Sequence, residues 1–218
     1  MLKHAEDGFN LCDGVHCQAY KGRLTRYNTI LNAVRSTAGK VLTDNESVVI
    51  MSPFHSNCGG ETSTSGQVWQ KNLPYLQSVK DPFCLNSSQA TWSRSIERDK
   101  WIAYINSTIS NNVNYKNYNF SFHLTHRAKL VSINGIEINL RSVREHFLLK
   151  STFFSVEDTG KEIHISGRGY GHGVGMCQQG AMEMARVGYT WLDIIHFYFW
   201  DVNVADFRDL DLHRFKPE

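Results

Sequence analysis

The sequence lacks most of the features that mark a specialised class of protein. No stretch of its 218 residues approaches the roughly 18 consecutive apolar residues a membrane span needs. Neither sign of charge is in surplus: 23 basic and 21 acidic residues leave a formal charge of +2. That balance excludes the concentrated basic excess by which nucleic-acid binders hold phosphates. The five cysteines, Cys12, Cys17, Cys58, Cys84 and Cys177, are too few, and odd in number, for the disulfide framework of a small secreted domain. The first residues, Met-Leu-Lys-His-Ala-Glu-Asp-Gly, hold no apolar signal-peptide core. They also hold no first secondary-structure element, so the chain reads as one that something preceded. There is no internal repeat. With 41% hydrophobic, 12% aromatic and 20% charged residues, the remainder is an ordinary globular composition, long enough for one large domain or two small ones.

Hydrophobic spacing divides the chain into mixed elements. Leu24, Tyr27, Ile30, Leu31 and Val34 recur at helical spacing over 23–38, and Gly39 offers a stop. Residues 40–43 and 47–54 read as strands around Asp44-Asn45-Glu46. A helix is expected near 97–109, and residues 106–119 are rich in Asn, as a surface excursion or linker would be. Alternating runs at 120–124 and 129–133 lead to Asn134-Gly135, the signal of a tight hairpin into 136–140. Ser142 and Glu145 have capping-box spacing for a short helix to Leu149. Strands at 153–157 and 161–166 precede a glycine-rich run, and helices near 178–187 and 190–199 follow it. Without a regular strand–helix alternation, the expected class is α+β, mixed strands and helices around a glycine-rich cleft.

Four features carry possible chemistry. The first is Gly167-Arg-Gly-Tyr-Gly-His-Gly-Val-Gly-Met-Cys-Gln-Gln-Gly-Ala181, running from a strand into a helix. It is neither a dinucleotide fingerprint nor a P-loop: no start point gives G-x-G-x-x-G, and no Lys-Ser or Lys-Thr pair completes a phosphate cradle. His172 at its centre is read either as a hydrogen-bonding pin or as a substrate contact, with Arg168 at the edge. The second is His55-Ser-Asn-Cys-Gly-Gly-Glu-Thr62, where Cys58 with His55 as base would be a nucleophile or else a small residue in a crowded turn. The third is His4, Cys12, His16 and Cys17, four nitrogen and sulfur donors within fourteen residues. They fit a tetrahedral structural zinc site, a Cys12–Cys17 disulfide or two unrelated thiols. The fourth is aromatic: Trp69 and Tyr75 flank the loop after Gly60 and are cleft candidates, whereas Trp191, Phe197 and Tyr198 read as packing.

These segments resemble the SpoIID/LytB family, named after stage II sporulation protein D and the modifier of a cell-wall amidase. The likeness is carried by Asp13-Gly-Val-His-Cys-Gln-Ala-Tyr20, Ala33-Val-Arg-Ser-Thr-Ala-Gly-Lys-Val-Leu-Thr43, Ser56-Asn-Cys-Gly-Gly-Glu-Thr62, Pro74-Tyr-Leu-Gln-Ser-Val-Lys-Asp-Pro82 and the long Gly-His run. The order agrees from about Cys12 to Trp200, with the Asn-rich middle and the tail after Asp201 unplaced. The whole of 1–218 is thereby expected to be one such domain lacking its N-terminal segment.

The resemblance implies lytic transglycosylation: cleavage of peptidoglycan glycan strands outside the cytoplasm, in cell-wall remodelling and sporulation. Partners would be glycan strands and a cell-wall amidase or another wall hydrolase, with no nucleic acid. One carboxylic acid protonates the glycosidic oxygen and the sugar's own 6-hydroxyl closes an anhydro ring, so a single Glu serves as acid and then base. Here the sequence departs from the family. That Glu belongs to a segment upstream of the match, and neither Glu6 nor Glu61 occupies its position, so no catalytic residue is assigned in this chain. The alternative is a non-catalytic glycan-binding or amidase-activating module. Ser56, Gly59, Gly60, Arg168, His172 and Gln178 are expected to line the glycan cleft. Some members of the family hold zinc with two Cys and two His in the region of His4, Cys12, His16 and Cys17, which favours a structural zinc there. Cys58 and Cys177 stand where relatives commonly have Ser, so a small residue suffices.

Overall fold

The helical spacing after Tyr27 produces α1 (Asn28–Ser36), and Gly39, at φ +79°, reverses the chain into β1 (Lys40–Thr43). The computed structural model describes residues 4, 6–14, 17, 20, 22, 27–108 and 115–211. It divides into two compact units, Met1–Ile50 with Asn203–Glu218, and Met51–Val202. In the first unit β1 pairs antiparallel with β9 (Asn203–Asp206), Lys40 opposite Asp206 and Thr43 opposite Asn203. The tail that sequence reasoning left unplaced is therefore a strand partner. The strand expected at 47–54 does not form as one piece: Val49 makes a single bridge to Thr43, and only Phe54 at its far end enters a strand. The reason is local. The Asp44 carboxylate accepts the amide protons of Glu46 and Val48, and Ser47 sits at φ +62°, so side-chain capping takes donors a ladder would use.

The second unit is built on a three-stranded antiparallel sheet, β3 (Thr91–Glu97), β7 (Glu162–Arg168) and β6 (Phe154–Asp158), with β7 central. Strand alternation turns Ile96, Ile163, Ile165, Phe154 and Val156 inward. Helix α3 (Arg98–Thr108) lays Trp101 and Ile105 on this face, and the Trp101 ring stacks on Phe147 at 5.5 Å. Tyr115, inside the Asn-rich stretch, is also part of this core. The Asn-Gly signal forms the hairpin of β4 (Leu130–Ile133) and β5 (Ile136–Asn139), with both turn residues at positive φ. Helix α4 (Leu140–His146) starts earlier than the capping-box spacing implied. Asn139 is the cap, its side chain accepting from the amides of Arg141 and Ser142. The run 120–124 contributes only a bridge, Phe122 to Val156.

Beyond β7 the chain enters the glycine-rich loop, then β8 (Met176–Cys177) and α5 (Gln178–Arg186). β8 pairs in parallel with β2 (Phe54–His55), which brings the two motif segments side by side, and the first of them runs on into the short helix α2 (Ser65–Val68). α6 (Trp191–Tyr198) opens on a capping box of Thr190 and Asp193. Its Tyr198 is buried, but Trp191 is half exposed, a correction to its reading as packing. The mixture of helices and small sheets is α+β, as expected from the sequence.

Candidate functional site

The two glycine-rich segments are made to touch through their backbones. The Asn57 amide donates to the Tyr170 carbonyl at 3.1 Å, and the Tyr170 amide returns the bond to Asn57 at 2.7 Å. Ser63 donates to Gly173, Met176 to Pro53 and Gln179 to Ser56. Such contact needs the absence of side chains. A Cβ on Gly59 would lie 2.7 Å from the Arg168 carbonyl carbon, and one on Gly169 would lie 2.6 Å from the Asn57 oxygen. Both residues also occupy the left-handed region, at φ +70° and +76°. The alternating glycines thus make one loop a template for the other.

Side chains then lock the pair. The Asn57 amide nitrogen lies 3.0 Å from the Cys84 carbonyl, 2.8 Å from Ser87 Oγ and 2.7 Å from Gln179 Oε1, while its oxygen accepts from Gly59 N. Arg127 is buried; its guanidinium donates to the carbonyls of Glu61 and Cys58, leaving Nη1 buried without a partner. Burial pulls Arg127 down to about 10. Phe153 carries two guanidinium groups on its ring, Arg168 at 3.8 Å and Arg127 at 5.0 Å.

The expected cleft residues have different places. Ser56 is half-buried and donates to Gln89, and Gln178 is exposed at the start of α5. Together with Met176, Gln179, Ala181, Met182 and Ala185 they line an open depression of about 470 Å³. Its lining contains no carboxylate. Gly59 is buried against Arg168, and Gly60 faces Leu85. Arg168 turns its guanidinium to the carbonyls of Leu124 and Thr125 at 3.3 and 3.2 Å.

His172 Nδ1 accepts from the Val174 amide at 3.0 Å, and the side chain also hydrogen-bonds the Phe54 backbone. Its ring lies 5.5 Å from that of His55 and 5.8 Å from that of Trp69. Burial, with Arg144 and Arg127 adding repulsion, lowers His172 to about 4. Burial lowers His55 further, to about 3, with repulsion from Arg127 and His172. Both imidazoles are neutral near pH 7. Glu61, the carboxylate of the motif loop, pairs with His126 at 3.2 Å and accepts from Ser78.

Cys58 is wholly buried, and its hydrogen-bonding sulfur neighbours Cys177 and Cys84, followed by burial, push its thiol far up. Its sulfur faces Cys84 at 3.3 Å and Asp81 at 3.2 Å, while His55 Nδ1 is turned to the Val174 carbonyl. The reading of Cys58 as a nucleophile with His55 as its base does not hold: the thiol is inaccessible, its proton is held more tightly than usual, and His55 faces elsewhere. What sequence reasoning missed is the company it keeps. Cys58, Asp81, Cys84 and Cys177, all buried, place one ligand atom each within 4.8 Å of one another, an arrangement that could hold a metal ion. A second group, His4, Cys12 and Cys17, does the same in the first unit; His16 lies outside the described residues. There His4 Nδ1 faces Asp7 Oδ2 at 3.0 Å. The backbone at Gly14 holds the Cys12 thiol down, to about 6, helped by Cys17 and His4. These donors fit zinc.

No family model matches the chain. It is 30% identical over 182 residues to stage II sporulation protein D of Bacillus subtilis (strain 168), covering 84% of this chain and 52% of that protein. The same-named protein of Bacillus amyloliquefaciens is 31% identical over 177 residues, 81% and 51% of the two chains. An amidase enhancer of Bacillus subtilis (strain 168) is 29% identical over 245 residues, 88% of this chain and 34% of its own. The chain spans about half the length of the sporulation proteins it matches. With homologues of these names at about 30% identity over most of its length, the chain is SpoIID/LytB-like.

Proposed function

We propose that the chain forms the glycan-holding walls of a peptidoglycan lytic transglycosylase that remodels the cell wall in sporulation, outside the cytoplasm. The interlock of the two glycine-rich loops carries this reading. Backbone hydrogen bonds and buried side chains of both motif segments are given over to fixing one surface, as expected of a site on a rigid scaffold. Gln178 and Ser56, on the open depression, meet sugar hydroxyls. Gly59, Gly60, Arg168 and His172 keep the loops in the shape the glycan requires, and Trp69 offers a flat apolar face beside His172. The acid–base Glu that protonates the glycosidic oxygen comes from outside the residues of this chain. His4, Cys12 and Cys17 hold a structural zinc. Among the described residues no helix is long and apolar enough to cross a membrane.

Glycan strands stripped of peptides and intact peptidoglycan are the substrates for the test, incubated with protein made from the complete coding region. Anhydro-sugar ends in the products, lost in Gln178→Ala with the fold intact, are the expected result. A folded protein that neither retains glycan strands nor releases anhydro products overturns the reading. A second reading has its own observation, the carboxylate-free lining of the depression beside a likeness to an amidase enhancer. It makes the chain a glycan-binding module that activates a wall amidase. Stimulation of an amidase on intact peptidoglycan without anhydro products would select it.

A further inference from the structure

We propose that Cys58, Cys84, Cys177 and Asp81 hold a zinc ion that clamps the two glycine-rich loops together. The site is independent of the N-terminal His4, Cys12 and Cys17 group and of the glycan reading. Its four donors come from three separate segments: Cys58 from the first motif loop, Asp81 and Cys84 from the turn after it, and Cys177 from the end of the Gly-His run. All four are buried. Their ligand atoms lie within 4.8 Å of one another, with Cys58 Sγ 3.3 Å from Cys84 Sγ and 3.2 Å from Asp81 Oδ2. A zinc ion with Zn–S bonds near 2.3 Å sets sulfur–sulfur edges of about 3.8 Å. Donors already at this spacing need only small shifts to surround one ion. Three sulfurs and one carboxylate oxygen make a closed four-ligand set of the structural type. The oxygen favours borderline zinc over Cu(I), which prefers sulfur alone.

The surroundings match what a metal's ligands need. Cys177 Sγ receives the amides of Cys58 at 3.3 Å and Gly180 at 3.4 Å, donors that stabilise a thiolate. Asp81 is fixed from two sides, Oδ2 by the Tyr198 hydroxyl at 2.8 Å and Oδ1 by the Phe83 amide at 2.9 Å. The carboxylate is wholly buried against three sulfurs, and a buried carboxylate is costly without a cation. Arg127 lies nearby but spends its hydrogen bonds on the carbonyls of Cys58 and Glu61. On binding, the three thiols release three protons to water and Zn²⁺ takes the three thiolates and the carboxylate. The site then carries a formal −2, of which the Arg127 guanidinium offsets one charge. Gly180 leaves room for this arrangement: a Cβ there would lie 2.1 Å from Tyr198 Oη and 2.3 Å from Asp81 Oδ2.

The test removes the N-terminal donors first. Cys12→Ser/Cys17→Ser protein, purified without chelator, is analysed by native mass spectrometry and elemental analysis. About one zinc per chain is expected to remain, and replacing it with Co²⁺ should give the visible bands of a tetrahedral thiolate site. Adding Cys84→Ser should abolish both signals. Where that triple variant does not fold, the count on the double variant decides alone. A folded double variant with no bound metal overturns the proposal. So does a mass 2 Da low from a Cys58–Cys84 disulfide, which would take the two closest sulfurs out of the ligand set. Failure here leaves glycan cleavage untouched, because that assay reads products rather than metal.

Discussion

The two cysteine clusters of this protein are built from similar donors in opposite ways. His4, Cys12 and Cys17 fall within fourteen residues, are only partly buried, and lean on one exposed carboxylate, Asp7. Cys58, Asp81, Cys84 and Cys177 are gathered from 26 and 119 residues apart and lie entirely inside the fold. A local cluster organises a short segment that has little core of its own. A gathered one fixes segments that the fold has already brought together. The first site should therefore matter to its segment, and the second to the whole loop pair.

The sharpest way to test that contrast is to add one methyl group to each cluster. Gly180→Ala drives a Cβ into Tyr198 and Asp81, at 2.1 and 2.3 Å, whereas Gly14→Ala meets only Cys12 Sγ at 3.9 Å. Gly180→Ala is expected to destabilise the fold by about 3 kcal/mol or more, the upper range for overpacking. Gly14→Ala should change it by less than about 0.5 kcal/mol, within the range for surface substitutions. Chemical denaturation of both variants measures the difference. Equal effects would break the comparison.

Acid provides the next largest effect, and it acts on the gathered region. His55 and His172 are depressed from 6.5 to about 3 and about 4. The unfolded chain therefore takes up protons first as pH falls. Stability from these neutral imidazoles is complete above about pH 6.5 and is lost as pH falls through the window down to about 4 and then 3. Thermal melts between pH 7 and pH 4 should show this decline. His55→Gln should flatten it, although the variant starts from a lower melting temperature. An unchanged slope would mean that the imidazoles titrate normally and that the loop pair opens readily.

Legibility in the sequence followed the same division between local and gathered. The Asn134-Gly135 hairpin, α3, α5 and α6 were readable because each is decided by neighbours in sequence. The strand at 47–54 was misread because alternation gave no hint that Asp44 would take the amides of Glu46 and Val48. The N-terminal donors stood out by spacing. The buried cluster did not, since Cys58 and Cys177 each look like a small residue in a tight turn and Asp81 like one more turn aspartate. Arg127 gave no signal either; its burial is decided by carbonyls of the motif loop some 66 and 69 positions away. The one usable clue was joint: three cysteines, each next to a glycine-rich or turn segment that the fold had to pack together.

The smallest expected effects come from the partner that orients a carboxylate or imidazole in each cluster. Tyr198→Phe removes the hydroxyl that donates to the buried Asp81, leaving a carboxylate oxygen short of a donor, which costs about 1–3 kcal/mol. Asp7→Asn breaks a pair in which Asp7 is mostly exposed, so global stability should fall by less than about 1 kcal/mol. Its consequence belongs to binding: an outer partner of a metal-ligating histidine is worth roughly 10-fold or more in metal affinity. Competition with a chelator should therefore strip metal from the N-terminal group of Asp7→Asn well before it melts differently from the parent. Tyr198→Phe should lower the melting temperature first. If both variants lose stability and metal in the same proportion, the two clusters are equivalent parts of one cooperative fold and the distinction between local and gathered sites has no energetic content.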